Sequence, residues 1–358
     1  MNISLQTIIK NLNKNNTQIL GLGYFTNGNG NYWKFSGTFI KELMNSHGAL
    51  DVFLNEPYPL THKLNAVINN REDLILNGDY DHADSHPLKE YLNSVGNDHQ
   101  EFVVFLKVLN DLGNSGKTIN LFGVGSLVKK SDYNLVSDKY EQPEYVHKLY
   151  PNLQVDDNGL HDEMKKGNYG IDDPDMYMQL MINYFRTDGR MGIIIANDTK
   201  IQKVKVGNYE TLGYKLDQQL GNKYACLGTT GNEGKLLFAG RLKSDYQIRK
   251  TKVEPDMELF EKPKVFDFKD SGSFQRYIKR RKLDKDGDVL LKVERDLNVH
   301  YYRSNELKSD QDDKENFSNV DDLDYVMYFK DVEPCHLLIV KEDEEPVPDP
   351  AIFKSDRI

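Results

Sequence analysis

The sequence predicts a helix-rich α/β fold: a central, largely parallel β-sheet with helices on both faces. Two observations predict it. Strand-like, helix-like and strand-like segments follow one another over residues 18–56, the order that helical crossovers between parallel strands leave in a chain. Further on, TINLFGVG (118–125) and GRMGIIIAND (189–198) are apolar runs of buried-strand length, each preceded by a segment with helical spacing.

Residues 4–16 read as a short, Asn-rich helix. QILGLGYF (18–25) reads as a strand running into a glycine-rich turn, Thr26 to Gly30. From Tyr32 to Asn45, Trp33, Phe39, Ile40, Leu43 and Met44 recur at helical spacing. LDVFLNE (50–56) is the second strand, stopped by Pro57 and Pro59. Residues 81–100 are polar and loop-like, and EFVVFLKVLNDL (101–112) is a buried helix leading to the strand at 118–125. Residues 126–170 carry few core signals. Asp173-Pro174 opens a helix with Met176, Leu180, Met181, Tyr184 and Phe185 as its apolar stripe. ETLGYKLDQQLG (210–221) is a short amphipathic helix closed by Gly221, and KYACLGTT (223–230) and KLLFAGR (235–241) read as two further strands. The stretch 245–320 is strongly charged, with a basic helix candidate at FQRYIKRRK (274–282) and an acidic loop at 308–315; YVMYF (325–329) is a late strand. The chain divides into an N-terminal segment (1–17), one α/β domain (18–340) and an acidic, proline-containing C-terminal arm (341–358), expected to be extended.

Composition narrows the classes. Hydrophobic residues at 38% and charged residues at 28% exclude a disordered chain and a membrane bundle. A formal net charge of -10 argues against nucleic acid or an anionic membrane as a global partner. Two cysteines, Cys226 and Cys335, exclude a disulfide-rich scaffold and a four-cysteine zinc site; they can form one bridge, within or between chains, or stay as thiols. GIIIA (192–196) and HLLIV (336–340) are too short to span a bilayer, and the N-terminus shows no apolar signal-peptide core.

The local motifs read as structure. GNSGKT (113–118) is half of a phosphate-binding loop, but it follows a helix and precedes a strand, so a helix-to-strand turn is the better reading. Gly21, Gly23, Gly28 and Gly30 do not have dinucleotide-binding spacing. His82, His86 and His99 lack a ligating arrangement and read as exposed histidines. DKDGD (284–288) lacks the downstream glutamate of a calcium loop. No cofactor and no metal is implied. FQRYIKRRK suits an acidic surface, including acidic segments of its own kind.

The segments in order resemble the erythromycin-esterase-like family. That family has a first strand entering a Gly-Glu-x-x-His-Gly turn, matched here by Gly23-Tyr24-Phe25-Thr26-Asn27-Gly28. Ser36 stands where the family has an active-site Arg, and Glu56 (or Asn55) where it has a second Glu. Its His-Asn-x-His type segment corresponds to Ala196-Asn197-Asp198-Thr199-Lys200. Leu212-Gly213-Tyr214-Lys215-Leu216, Tyr224-Ala225-Cys226-Leu227-Gly228, and Asp324 to Tyr328 with Pro334 resemble the family's later motifs. The resemblance spans roughly residues 18–340 and rests on order and spacing.

The departures set the functional expectation. Tyr24, Asn27, Ser36 and Lys200 replace a Glu, a His, the Arg and another His, and of these groups only Glu56 survives. A hydrolase needs a base to activate water and groups to orient it. Losing several members of one cooperative site ends its chemistry. The resemblance therefore implies a catalytically dead relative.

The chain also resembles the nudivirus occlusion-body proteins, or polyhedrins. That resemblance implies self-assembly into a lattice that encases virions in the infected cell, in the nucleus, and dissolves at alkaline pH. Its implied partners are copies of itself and virions, with Cys226 and Cys335 as candidates for an assembly disulfide. The alternatives are a hydrolase with an altered site built on Glu56, Tyr24 and Lys200, and a small-molecule-binding module.

Overall fold

The computed structural model describes residues 2–26, 28–57, 61, 64–65, 68–69, 100–125, 174–206, 209–238, 264–269, 273–285, 287–293, 299–302 and 317–336. Outside the described residues lie Asn27, the three histidines at 82, 86 and 99, the segments 126–170 and 308–315, most of HLLIV, and the arm 341–358.

The alternation read from the sequence is the one that forms. Helix α1 (Leu5–Lys14) is capped by Ser4, whose side chain accepts from the Thr7 N–H. Strand β1 (Ile19–Tyr24), helix α2 (Gly30–Ser46) and strand β2 (Ala49–Pro57) follow, then α3 (Gln100–Asn114) and β3 (Thr118–Gly125). GNSGKT is the turn between α3 and β3, with Gly116 at φ +85°. Then come α4 (Pro174–Phe185), β4 (Met191–Asn197), the single turn α5 (Asp198–Ile201), the small ribbon β5 (Lys205–Val206) and β6 (Tyr209–Glu210), and α6 (Leu212–Leu220). The later elements are β7 (Tyr224–Phe238), β8 (Lys264–Lys269), α7 (Ser273–Arg281), β9 (Val289–Lys292), β10 (His300–Tyr302), β11 (Phe317–Asn319) and β12 (Tyr325–Val332).

Eight strands make the main sheet, in the order β3-β2-β4-β1-β7-β12-β9 with β8 added beside β7. From β3 through β12 the neighbours are parallel; β9 and β8 are antiparallel additions. The period of two along each strand sorts side chains to two cores. Leu20, Leu22, Val52, Leu121 and Ile193 face α1, α2 and α3, whereas Phe53, Phe122, Ile194, Cys226 and Tyr328 face α4, α6 and α7. Helices therefore cover both faces, as the sequence predicts.

Two expectations need correction. KYACLGTT and KLLFAGR are not two strands: β7 runs unbroken from Tyr224 to Phe238. The intervening Gly-Asn-Glu-Gly looks like a turn, but β12 pairs with β7 through that stretch and keeps it extended. Gly234, at φ +150°, adopts a backbone that only glycine takes easily and lets the Val332 main chain pass close by.

The second correction concerns the disulfide. Cys226 and Cys335 are both thiols, 0% and 2% exposed. They lie in the cores on opposite faces of the sheet, so the sheet separates them and packing shields both from another molecule.

Candidate functional site

In open α/β sheets ligands bind beyond the carboxyl ends of the parallel strands. Here that edge is formed by Tyr24 of β1, Asn197 of β4, the end of β2 near Glu56, and Gly125 of β3. The register places Tyr24 directly beside Asn197, and β2 flanks β4 on its other side. The fold thus brings Tyr24, Glu56 and the Asn197–Lys200 segment to one edge from three distant parts of the chain.

Each of these side chains is built into the surroundings. The Tyr24 ring lies 5.3 Å from that of Tyr32 and 6.5 Å from that of Trp33, which in turn packs edge-on against Phe102 at 4.8 Å. Asn197 caps α5: its Oδ1 accepts from the Thr199 N–H at 3.0 Å and the Thr199 hydroxyl at 2.8 Å. Lys200 Nζ lies 2.5 Å from Asp175 Oδ1. The other oxygen of that buried carboxylate accepts from the Leu212 N–H at 3.0 Å, so Asp175 ties α4, α5 and α6 together. Ser36 is fully buried on α2. Glu56 is half-buried at the end of β2.

The glycines before the edge have a packing reason. A Cβ on Gly21 would meet the Tyr224 hydroxyl at 2.7 Å, and one on Gly23 would meet Asp198 Cα at 2.8 Å. Close approach of α5 to β1 therefore demands glycine at both positions, and no phosphate-binding role is needed to explain them.

Tyr32 is the residue the sequence reading missed. Its hydroxyl donates to the Leu22 carbonyl at 3.0 Å. Burial pushes the phenol well above its ordinary range; the Ser36 hydroxyl opposes this, while Tyr24 and Asp198 add to it. Tyr32 thus connects Tyr24, Ser36 and Asp198 around a neutral, hydrogen-bonded phenol.

A main-chain strap closes the same edge. The Gly28 carbonyl accepts from the N–H groups of both Leu237 (3.1 Å) and Cys335 (3.0 Å), and the Gly30 N–H donates to the Glu333 carbonyl at 2.8 Å. Lys34 pairs with Glu333 at 2.7 Å. Glu101, 2% exposed, accepts from the His336 N–H at 2.9 Å, and its other oxygen lies 2.7 Å from His336 Nδ1. Burial, with Glu101 adding to it, raises the Cys335 thiol well above its usual range. Nothing in the sequence marked Glu101 and His336 as partners across 235 positions.

A further buried acid lies in the amino-terminal half of β2. Asp51 accepts from the Thr187 N–H at 2.8 Å and from Asn120 at 2.9 Å, with Arg190 at 3.6 Å. Burial raises its carboxyl, and the Thr187 N–H, Asn120 and Arg190 oppose the rise. Its one visible signal was an acid at the second position of the apolar run LDVFLNE. Among the described residues no group of three or more His, Cys, Asp and Glu is arranged to hold a metal, and no helix is long and apolar enough to cross a membrane.

No protein-family model and no curated protein sequence matches the chain. Solved structures do. A succinoglycan biosynthesis protein superposes with a TM-score of 0.60 at 15% identity, covering 93% of this chain and 92% of its own. A Bacillus cereus protein gives 0.61 at 14% identity, with 94% of each chain covered. An erythromycin esterase with a His-to-Asn substitution, in its open conformation, gives 0.58 at 12% identity, covering 94% of this chain and 95% of its own. The chain therefore has an erythromycin-esterase-like fold over nearly its whole length.

Proposed function

We propose that this chain uses its esterase-like fold as a non-catalytic scaffold: a self-assembling structural protein of the polyhedrin type that forms a viral occlusion-body lattice around virions in the nucleus of the infected cell and dissolves at alkaline pH. The observation that supports the reading is how the side chains at the carboxyl edge are engaged. Tyr24 is packed among aromatic rings, Ser36 is sealed in the core, and the Lys200 ammonium is held by Asp175. Water-activating chemistry needs a positioned base with room for substrate. These side chains serve packing and ion pairing instead, and Glu56 alone does not make a cooperative site.

The alkaline release follows from composition refined by burial. Near pH 10.5 the reference pKa values put the net charge on the order of -40, from ionised tyrosines and neutralised lysines. Tyr32 and Tyr224 are buried and stay protonated, so the charge falls on exposed groups such as Tyr209. Exposed lysines that lose their protons no longer offset the carboxylates and neighbouring copies repel, whereas Lys205, held by Glu210 at 3.0 Å and raised above its ordinary range, lets go later.

Light scattering of the purified protein at pH 7 and near pH 10.5 tests the proposal. Large particles at pH 7 that dissolve at pH 10.5 are expected. A small monodisperse species at both values would sink it; an ester-hydrolysis screen with Glu56→Gln as control would then test the altered-hydrolase reading.

A further inference from the structure

We infer that the exposed basic face of α7 is a docking surface for the acidic C-terminal arm of a second copy of this chain. The inference rests on the self-assembly reading and names a contact for it.

Helix α7 is amphipathic in an unusual sense. Phe274, Gln275 and Ile278 are buried, with Phe274 and Ile278 in the core beneath the sheet and the Gln275 amide donating to the Asn232 side chain. The rest of its surface is cationic: Arg276, Lys279, Arg280 and Arg281, continued by Lys282 and Lys285, are all exposed. Asp284 is the sole acid between Ser273 and Lys285. The three cations of the last turn suit the negative end of the helix dipole, but that accounts for only part of the cluster. Arg281 is already engaged, its guanidinium 5.0 Å from the centre of the Tyr277 ring.

A patch of this sign on a chain with a net charge of -10 calls for an acidic partner. The sequence holds a complement: Glu342, Asp343, Glu344 and Glu345, followed by Pro346, Pro348, Asp349 and Pro350. Four consecutive carboxylates match the cationic row, and the prolines disfavour a helix and suit an extended ligand. The described chain ends at His336, fastened to Glu101 on the α1–α3 side of the sheet. Helix α7 sits on the other side. The last described residue before the arm therefore lies on the face opposite the basic helix of its own molecule, which favours the helix of a neighbour.

The test uses the full-length chain with its own arm neutralised (Glu342→Gln, Asp343→Asn, Glu344→Gln, Glu345→Gln) and a fluorescent peptide of residues 341–358. The peptide should bind saturably, and its affinity should fall about tenfold or more between roughly 0.05 and 0.3 M salt, because exposed ion pairs are screened. Charge reversal at Lys279→Glu, Arg280→Glu and Lys285→Glu, which leaves Arg281 on Tyr277, should abolish that binding. It should also abolish pH 7 assembly of the chain with its native arm. A peptide carrying Glu342→Lys, Glu344→Lys and Glu345→Lys should bind the charge-reversed chain and not the native helix, a swap that a merely unfolded variant cannot produce.

Absence of peptide binding would overturn the docking surface while leaving assembly itself standing. Preferential binding of a single-stranded oligonucleotide over the peptide would assign the face to nucleic acid instead. Peptide displacement by the chain's own native arm at all dilutions, without association of copies, would overturn the second-copy partner. Failure of the native chain to assemble at pH 7 would count against the proposed function, and the peptide titration would still decide the docking surface.

Discussion

Lys200 holds its ammonium 2.5 Å from the carboxylate of Asp175, a residue 1% exposed near the start of α4. The pair joins the segment after β4 to the helix before it, so its first consequence is for stability. Lys200→Met leaves a buried carboxylate without its cation and should lower stability by about 1–3 kcal/mol, as should Asp175→Asn. Urea unfolding of both single variants and the double variant checks this. The double variant should cost less than the two singles added, because it removes the uncompensated charge along with the pair. Strict additivity would show that the two groups are not coupled.

Alkaline stability follows from Tyr32 and Tyr224. Burial raises both phenols well above their ordinary value, and Tyr224 donates to the Ile201 carbonyl at 2.6 Å. In the unfolded chain they ionise near about pH 10; in the folded chain they keep their protons. Their contribution is therefore complete below about pH 10 and is lost as pH rises toward the folded values, at about 1.4 kcal/mol per pH unit for each group. Tyr224→Phe should cost about 1 kcal/mol at pH 7 and flatten the decline above about pH 10 by one group's slope. Thermal melts from pH 7 to 11 measure both effects. A decline equally steep in the variant would assign it to other groups.

The buried thiols predict that dissolution of the proposed lattice is indifferent to reductant. Cys226 and Cys335 lie in separate cores, and burial raises both thiols well above their ordinary range. A thiol reagent should modify neither in the native protein and both in denaturant, because the reactive form is the exposed thiolate. Alkaline dissolution curves with and without reductant should superimpose. A shift on adding reductant would show that a cysteine becomes accessible on assembly.

Gly28 should tolerate no side chain. A Cβ there would overlap the Leu237 carbonyl, and the Gly28 carbonyl holds both Leu237 and Cys335. Gly28→Ala should displace the turn after β1 and lower the melting temperature by several degrees or prevent folding. Gly48→Ala, where a Cβ meets nothing within 4 Å, is the matched control and should be close to neutral.

The early elements could be read because each one is internally consistent. The runs at 19–24, 118–125 and 191–197 are apolar and short, and Ser4, Thr211 and Gly221 mark helix ends by their own hydrogen-bonding and backbone preferences. Local chemistry decides such features, so the α/β class and most of the strands before residue 230 were visible in the residues. The continuity of β7 was not, because Gly231 to Gly234 is a turn by composition and a strand only while β12 lies beside it. Strands β8 and β9, short and set in charged sequence, escaped notice for the same reason.

The site divides along the same line. Residues 24, 56 and 200 could be singled out from order and spacing, yet their present roles depend on neighbours far away in the chain. Tyr24 is packed by Tyr32 and Trp33, and Lys200 is held by Asp175. Glu101 and His336 meet only because the segment after β12 passes the start of α3. Cys226 and Cys335 looked like a pair until the sheet came between them. Periodicity and capping are properties of neighbouring residues and are written in the chain, whereas burial and pairing of single polar groups are settled when distant strands are laid side by side.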